Sequence, residues 1–350
     1  MSKFKDFLKK KNVVPSARLY FIDAMCSMAL GLFATLLIGT IFSTLGKYTG
    51  WGLLNEIAAY ATGATGAALG VAIANTLKAP PLVLLSAAVA GVIGNGMGTA
   101  FTVDGVEKTI TAGPAGAFVV VLIAVELGKL VSKETHVDII VTPVTTIFSG
   151  MLVAKLVCPA IAYCMYWLGV FINTATEMQP LLMGIIISAV VGIALTLPIS
   201  SAAICAMIGI SGLAGGAATV GCCAQMIGFA VISFSENRWS GLVAQGLGTS
   251  MLQMGNIIKN PRIWIPATLA SVITGPMSTM LFKLTCTGVS AGMGTCGLVG
   301  PLGIFSEMGV GSLVGILLLC FVLPAVLSLI FAFVLRKIGW IKQGDVKLDL

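Results

Sequence analysis

The sequence predicts an all-α polytopic membrane protein with about ten transmembrane helices, an internal repeat, and broken or re-entrant segments. Of its 350 residues, 57% are hydrophobic and only 9% are charged, whereas an average soluble domain carries about 25% charged residues. Apolar runs of about 18 residues or more recur along the chain, and each is long enough to cross a hydrocarbon core as a helix. The runs are continuous rather than alternating, so a β-barrel is not expected.

Residues 1–18 form a basic segment in which Phe4, Phe7 and Leu8 share one helical face. Because lysines surround this face, we predict a short interfacial helix lying on the cytoplasmic leaflet. A disordered basic tail is the alternative. The apolar run that follows is too long for the core of a cleaved signal peptide, and no clear small-residue cleavage site ends it.

The apolar runs define the order of the predicted spans. They lie at residues 19–42, 52–76, 80–100, 113–131, 139–172, 180–199, 202–234, 240–257, 262–284 and 311–335. The 139–172 run, which contains Pro143 and Pro159, and the glycine-rich 202–234 run are too long for one straight span. Each predicts a kinked helix or two half-helices. Such breaks survive at membrane depth only where protein or a wet cavity satisfies the freed backbone groups.

The positions of the basic residues predict the orientation of the chain. In a ten-span topology one side carries the N-terminal lysines, Lys78, Lys129, Lys133, Lys259, Arg262, Arg336 and Lys337. The other side carries the mixed loops at 104–108, 177 and 236–238. The positive-inside rule then places both termini in the cytoplasm. Orientation accounts for the net charge of +7, so no nucleic-acid partner is expected, and no motif for one is present.

Neither a metal site, a cofactor nor a catalytic constellation is expected. The nine cysteines are scattered, and the single histidine, His136, lies in a predicted loop, so the usual Cys/His metal sites are not predicted. Membrane cysteines most often pack as small apolar residues. No nucleophile–base pair or carboxylate pair has useful spacing. Glu126 and Lys129, three residues apart, predict an ion pair on one helix face.

Three short motifs occur twice in the same order. They are N-x-x-K-x-P at 75–80 and 256–261, GMGT at 96–99 and 292–295, and G-P-x-G-x-F at 113–118 and 300–305. Their shared order predicts an internal duplication covering approximately 52–131 and 240–335. The two copies are parallel in the ten-span topology, and they become inverted if either long run is two passes.

Each motif has a physical interpretation. N-x-x-K-x-P suits a tight turn that ends one span and starts the next. GMGT removes side-chain bulk at two of four positions, so the backbone can approach another helix or a ligand. G-P-x-G-x-F is typical of a break followed by a helix N-terminus, whose free N–H groups suit an oxygen-rich or anionic solute. Repeated halves with interrupted helices are common in transporters, where the solute binds between the halves.

The run NIIKNPRIWIPATLASVITGP, at 256–276, and the run SAGMGTCGLVGPLGIF, at 290–305, carry a family resemblance. Together they resemble the membrane-embedded EIIC proteins of the bacterial phosphotransferase system, in the branch of stand-alone IIC-like proteins that includes perfringolysin regulators. The resemblance implies a single transporter domain over residues 1–350, placed as a multi-pass protein in the bacterial inner membrane. It implies separate IIA and IIB phosphocarrier proteins, since no such stretch is recognised here, and a homodimer.

Polar residues inside predicted spans are the candidate solute ligands, because such residues are costly in lipid and a sugar needs hydrogen-bond donors and acceptors. The candidate substrate-binding residues are Asn95, Gly96, Gly98, Thr99, Gln245, Gln253, Asn256, Gly292, Gly294, Thr295 and Glu307. For each of them the alternative is an interhelical hydrogen bond, worth roughly 0.6–2 kcal/mol.

The sequence therefore predicts a permease that moves a sugar or another small polar solute by alternating access. A membrane-bound regulator that senses a solute without transporting it is the alternative, suggested by the regulator-named relatives. An intramembrane enzyme is the third hypothesis, and the residues give it no support.

Overall fold

The computed structural model of the chain describes residues 7–8, 10–13, 16–103 and 106–348. It divides into two compact units. Unit 1 is Met1–Leu36 with Tyr60–Met165, and unit 2 is Leu37–Ala59 with Tyr166–Leu350. Almost all of the regular structure is helical, as predicted.

The first part of the chain contains α1 (Leu19–Thr49), α2 (Gly52–Gly63), α3 (Thr65–Thr76), α4 (Pro81–Gly96), the strands β1 (Gly98–Val103) and β2 (Val106–Thr111), α5 (Gly113–Val131) and α6 (Asp138–Thr176). The second part contains α7 (Pro180–Thr196), α8 (Ser201–Met207), α9 (Gly212–Ile232), α10 (Phe234–Val243), α11 (Met254–Lys259), α12 (Ile265–Pro276), α13 (Gly288–Ala291), α14 (Val299–Met308), α15 (Leu313–Ile316) and α16 (Leu323–Lys337).

Within the described part of the chain, five helical runs are long and apolar enough to cross a membrane. They are Leu19–Thr49, Gly113–Val131, Asp138–Thr176, Gly212–Ile232 and Cys296–Lys337. The pair α2 and α3, bent by 45°, adds a sixth if it is counted as one span. The chain is thus a multi-pass membrane protein, but the predicted count of about ten spans is not confirmed. Several predicted spans fold instead as shorter helices, among them α4 and α7.

The two long runs behave differently. The 202–234 run is broken, as predicted: α8 ends at Met207, α9 begins at Gly212, and the connection uses Gly209 and Gly212 at φ of +63° and +60°. Left-handed φ values of this kind suit glycine because it lacks a Cβ. The 139–172 run forms the 39-residue helix α6, with both prolines inside it. At 1.5 Å per residue such a helix is about 58 Å long.

The antiparallel hairpin of β1 and β2 is an element that the sequence analysis missed. It pairs Gly98 with Thr111 and Val103 with Val106, where an extension of the 80–100 span and a loop were expected. The dipeptide Asp104–Gly105, which lies outside the described residues, is a strong hairpin signal when β-branched residues flank it. A hairpin was not predicted there because the apolar run before this dipeptide was interpreted as a membrane span.

The predicted span at 240–257 is wrong. This stretch folds as α10, a π turn at Ala244–Gly248, extended Thr249, a 3-10 turn at Ser250–Gln253, and α11. Asn237, before the stretch, donates its Nδ2 proton to the carbonyl of Val346 at 2.8 Å, and Asn256, near its end, donates to that of Lys347 at 2.7 Å. Because its two ends bind adjacent residues, the segment 237–256 is re-entrant: it leaves and returns at one end of unit 2.

The re-entrant segment also overturns part of the predicted sidedness. Glu236 was assigned to the side opposite Arg336, but Oε1 of Glu236 lies 3.8 Å from Nη2 of Arg336. The ten-span topology separated these residues because it counted 240–257 as a crossing. The segment does not cross the bilayer as one span because its polar side chains need hydrogen-bond partners that lipid lacks. Its buried amides instead hydrogen-bond to one another.

Small residues bring the helix backbones into contact inside each unit. A Cβ added to Gly70 of α3 would lie 2.0 Å from the carbonyl oxygen of Ala87 in α4. In unit 2, a Cβ on Gly221 of α9 would lie 2.1 Å from the carbonyl oxygen of Ser188 in α7. Such small-residue contacts are typical of membrane helices, where packing replaces the hydrophobic effect as the driving force.

Within unit 1, the N-terminal segment contacts the loop after α5 through Lys11. Its Nζ lies 2.5 Å from Oε1 of Glu134 and also donates to the carbonyl of Ser132. The hydrogen bond from Lys11 and its charge lower the pKa of the Glu134 carboxyl below its ordinary value. Phe7 and Leu8 are helical, whereas Phe4 of the predicted interfacial face lies outside the described residues. The interfacial placement of this segment remains a prediction.

Candidate functional site

The first GMGT marks a change from helix to hairpin in unit 1. Asn95 and Gly96 end α4, and Gly98 and Thr99 begin β1. A Cβ on Gly98 would lie 2.0 Å from the carbonyl oxygen of Ile110, whereas one on Gly96 would meet open space. The glycine at 98 therefore permits strand pairing. Asn95 and Thr99 are half-buried.

The second GMGT packs against helices of unit 2. A Cβ on Gly292 would lie 2.6 Å from the carbonyl oxygen of Ser201 in α8, and one on Gly294 would lie 2.8 Å from Cys222 in α9. Gly294 also has φ of +55°. Thr295 is buried and donates to the carbonyl of Gly246 at 2.5 Å. The predicted close backbone approach is present here, and its partners are helices.

Gln245, Gln253 and Asn256 form one buried hydrogen-bonded row, which we call the amide row. Asn256 Nδ2 donates to Gln253 Oε1 at 2.8 Å, and Gln253 Nε2 donates to Gln245 Oε1 at 3.0 Å. Gln245 Nε2 then donates to Ser233 Oγ at 2.8 Å. The exposed fractions are 0% for both glutamines and 8% for Asn256. The structure thus brings three of the predicted ligands together, and Thr295 joins them through Gly246.

The outer end of the amide row holds residues 345–348, which we call the strap. Gln253 Nε2 donates to the carbonyl of Val346 at 2.9 Å, in addition to the bonds that Asn237 and Asn256 make to Val346 and Lys347. The backbone N–H of Leu348 donates to Asn237 Oδ1 at 2.8 Å. The side-chain N–H groups of Gln253 and Asn256, which were predicted to bind a solute, are therefore already hydrogen-bonded to backbone carbonyls of the chain itself.

Glu236 is a buried carboxylate that the sequence analysis placed in a loop. Its side chain is 6% exposed, and neither carboxylate oxygen accepts a hydrogen bond from the described part of the chain. Arg336, at 3.8 Å, also donates to the carbonyl of Ile232 at 2.9 Å. Two residues away, Arg238 has φ of 52° and ψ of −147°, a strained conformation of the kind that collects at functional sites. In the sequence, the only signal for this residue was the pair of charged residues Glu236 and Arg238 between two apolar runs.

The remaining predicted ligands lie elsewhere. Glu307 is exposed on α14 and does not join the amide row. Near the second GMGT, a groove of about 310 Å³ is almost entirely apolar. It is lined by Ile41, Thr44, Leu45, Tyr48, Leu247, Gly297, Leu298 and Leu302. Such a lining does not suit a hydroxyl-rich solute.

The described residues contain no group of three His, Cys, Asp or Glu side chains placed to hold a metal ion. Seven of the nine cysteines are buried.

Comparison with known protein families gives a match over most of the chain. The family described as "Phosphotransferase system, EIIC" matches residues 22–348. Comparisons with curated proteins and with solved structures each give no match. The matched region spans nearly the whole chain and includes all three repeated motifs, the amide row and the strap. The chain therefore belongs to the EIIC family of the phosphotransferase system, and it is a membrane permease of that system.

Proposed function

We propose that this permease moves a sugar or another small polar solute by alternating access. The observation that carries this proposal is the buried carboxylate of Glu236. A carboxylate has two oxygens with about four acceptor sites, and burying it without hydrogen bonds is costly. Hydroxyl groups of a solute would supply the absent donors. Arg336 lies 3.8 Å away and adds a donor for solute oxygens, as the recognition of a polyol requires.

The elements around Glu236 support a solute site whose conformation can change. The amide row begins at Ser233, three residues before Glu236, and continues through the interrupted helices of the re-entrant segment. Interrupted helices next to a binding site are a common feature of transporters, because their free backbone groups and short pieces can rearrange around a solute. We keep the full predicted set as candidate ligands and add Glu236 and Arg336 to it.

A matching contact inside each unit supports the proposed repeat of 52–131 and 240–335. Aligning the two GMGT segments makes Gly94 equivalent to Ser290, and aligning G-P-x-G-x-F makes Gly116 equivalent to Gly303. A Cβ on Gly116 would lie 2.4 Å from the carbonyl oxygen of Gly94, and one on Gly303 would lie 2.6 Å from Cβ of Ser290. The equivalent positions therefore meet in both units.

Membership of this family also leads to proposals about the partners of the protein and its location in the cell. We propose that separate IIA and IIB proteins phosphorylate the solute, that the protein is a homodimer, and that it lies in the bacterial inner membrane with both termini cytoplasmic. The basic residues Lys259, Arg262, Arg336 and Lys337 fit a cytoplasmic end of unit 2.

Uptake of a panel of labelled sugars and polyols into proteoliposomes tests the transport proposal. Uptake without IIB identifies a facilitator, and uptake only with phosphorylated IIB identifies group translocation. Glu236→Gln, which keeps the size and removes the charge, should lower uptake by about tenfold or more through loss of charge-assisted hydrogen bonds. Glu56→Gln, at an exposed glutamate of α2, is the matched control and should leave uptake unchanged.

Two results would contradict the proposal. One is the absence of uptake and of solute binding over the whole panel, with and without IIB. The other is normal uptake by the Glu236→Gln variant. Solute binding without any uptake would instead identify the alternative, a sensing regulator.

A further inference from the structure

The strap is held by polar contacts that a solute could replace. Its residues form no helix or strand, and side-chain amides of Asn237, Gln253 and Asn256 donate to two of its carbonyls. Val346, with 0% of its surface exposed, is its buried apolar contact. A segment with few buried apolar groups opens at lower free energy than the helices that surround it.

The strap uses the donors that a polar solute would need. The amide row runs inward from the strap carbonyls through Gln253 and Gln245 to Ser233. Backbone carbonyls and solute hydroxyls are both oxygen acceptors for amide N–H groups. While the strap is docked, the outer amides are already paired. Releasing it frees these donors and opens the row from its outer end.

The strap also fixes the geometry of the re-entrant segment. Asn237, before the segment, and Asn256, near its end, bind adjacent strap residues. Between them the helix is interrupted at the π turn and at Thr249, so the strap spans the two ends of an interrupted helical stretch of unit 2. Asn260 adds a contact from its Nδ2 to Oδ2 of Asp345 at 2.7 Å.

We propose that residues 345–348 are a releasable lid, which blocks the amide row when docked and admits the solute to it when released. This inference rests on the proposed function, because it assumes that the amide row lies on the solute route. It concerns a gate built from the chain itself, with the backbone carbonyls of the strap as the groups that the solute displaces.

The test uses full-length variants that release the strap by different means. Val346→Asp places a carboxylate in an apolar position, and Asn237→Ala removes the partner of both Val346 and Leu348. Lys347→Ala is the control, because the side chain of Lys347 is exposed and only its backbone is bound. Hydrogen exchange of the Leu348 amide reports whether the strap is docked in the Val346→Asp variant, since Asn237→Ala itself removes the acceptor of that amide. A cysteine at the buried position Ser233, labelled with a small water-soluble thiol reagent, reports access to the inner end of the row.

We expect Val346→Asp to expose the Leu348 amide, and both releasing variants to raise the labelling rate at position 233 by about tenfold, because the strap opens more often. Lys347→Ala should change neither rate. Unchanged labelling after the strap has opened would overturn the proposal, and so would a Leu348 amide that stays protected in the Val346→Asp variant. Uptake should rise in the releasing variants. If labelling at position 233 responds to release of the strap but the protein shows no uptake, the permease proposal fails and the lid proposal stands.

Discussion

Gln253 donates its side-chain amide to Oε1 of Gln245 at 3.0 Å, although the two residues lie on opposite sides of a break in the helix at Thr249. Gln253 also donates to the carbonyl of Val346 and accepts from Asn256. A single buried side chain thus connects both pieces of the re-entrant segment with the strap. This arrangement gives a structural role to a residue that the sequence suggested as a solute ligand.

Gln253→Ala should lower the stability of the protein. The substitution leaves Gln245 Oε1 without a partner, and it removes one of the two hydrogen bonds made by Asn256 Nδ2 and one of the two accepted by the Val346 carbonyl. An unsatisfied buried group costs about 1–3 kcal/mol. Thermal unfolding in detergent measures the loss. Gln343→Ala, at an exposed position, is the control and should unfold like the wild type. Equal unfolding temperatures for the two variants would contradict the network.

Cysteines introduced at Ser240 and at Lys259 should be labelled from the same side of a sealed membrane. Both positions are exposed, and they lie close to the two ends of the re-entrant segment. A membrane-impermeant maleimide measures this, in a Cys164→Ser background because Cys164 is exposed. A span at 240–257 would place the two positions on opposite sides, so labelling from opposite sides would refute the re-entrant path.

Gly294→Ala should destabilise unit 2. The new Cβ would lie 2.8 Å from Cys222, and the position has φ of +55°. Overpacking of this kind costs about 1–3 kcal/mol, and the left-handed conformation adds strain. Gly311→Ala, where a Cβ meets open space, is the control. If both variants unfold at the wild-type temperature, the second GMGT does not pack against α9 as described.

Lys129→Met should destabilise unit 1 strongly. Lys129 is fully buried, and its Nζ lies 3.0 Å from both Glu126 Oε1 and the carbonyl of Leu77. Removing the lysine leaves a largely buried carboxylate uncompensated, which costs about 3–5 kcal/mol. The double variant Lys129→Met/Glu126→Leu should recover more than half of the loss. A double-mutant cycle measures the coupling, and purely additive effects would rule out the pair.

Local features were predictable because they depend on neighbouring residues. The turn at N-x-x-K-x-P forms in both copies, with the N–H of Lys78 donating to Asn75 and that of Asn260 donating to Asn256. Helix α5 begins at Gly113, and α14 begins next to Gly300. The predicted ion pair of Glu126 and Lys129 is confirmed at 3.0 Å. Hydrophobicity and glycine–proline chemistry act over a few residues, so they can be derived from the order of the residues.

Long-range pairing was not predictable. Glu236 was assigned to a surface loop because a charged residue between apolar runs is most often solvated. The prediction of a span at 240–257 failed for a related reason. Its polar residues were interpreted as ligands within one straight helix, whereas they pair with strap residues about 90 positions away in the sequence.

The sequence by itself determined the membrane class, the family, the repeated motifs and the helix starts at the two G-P-x-G-x-F motifs. Composition and local backbone preferences are enough for these, because each depends only on what lipid and neighbouring residues tolerate. The tertiary structure decided which apolar runs fold as re-entrant segments, which polar groups satisfy one another, and that Glu236 is buried beside Arg336. These outcomes depend on partners distant in sequence, since a buried polar group is stable only where folding supplies its hydrogen bonds or its counter-charge.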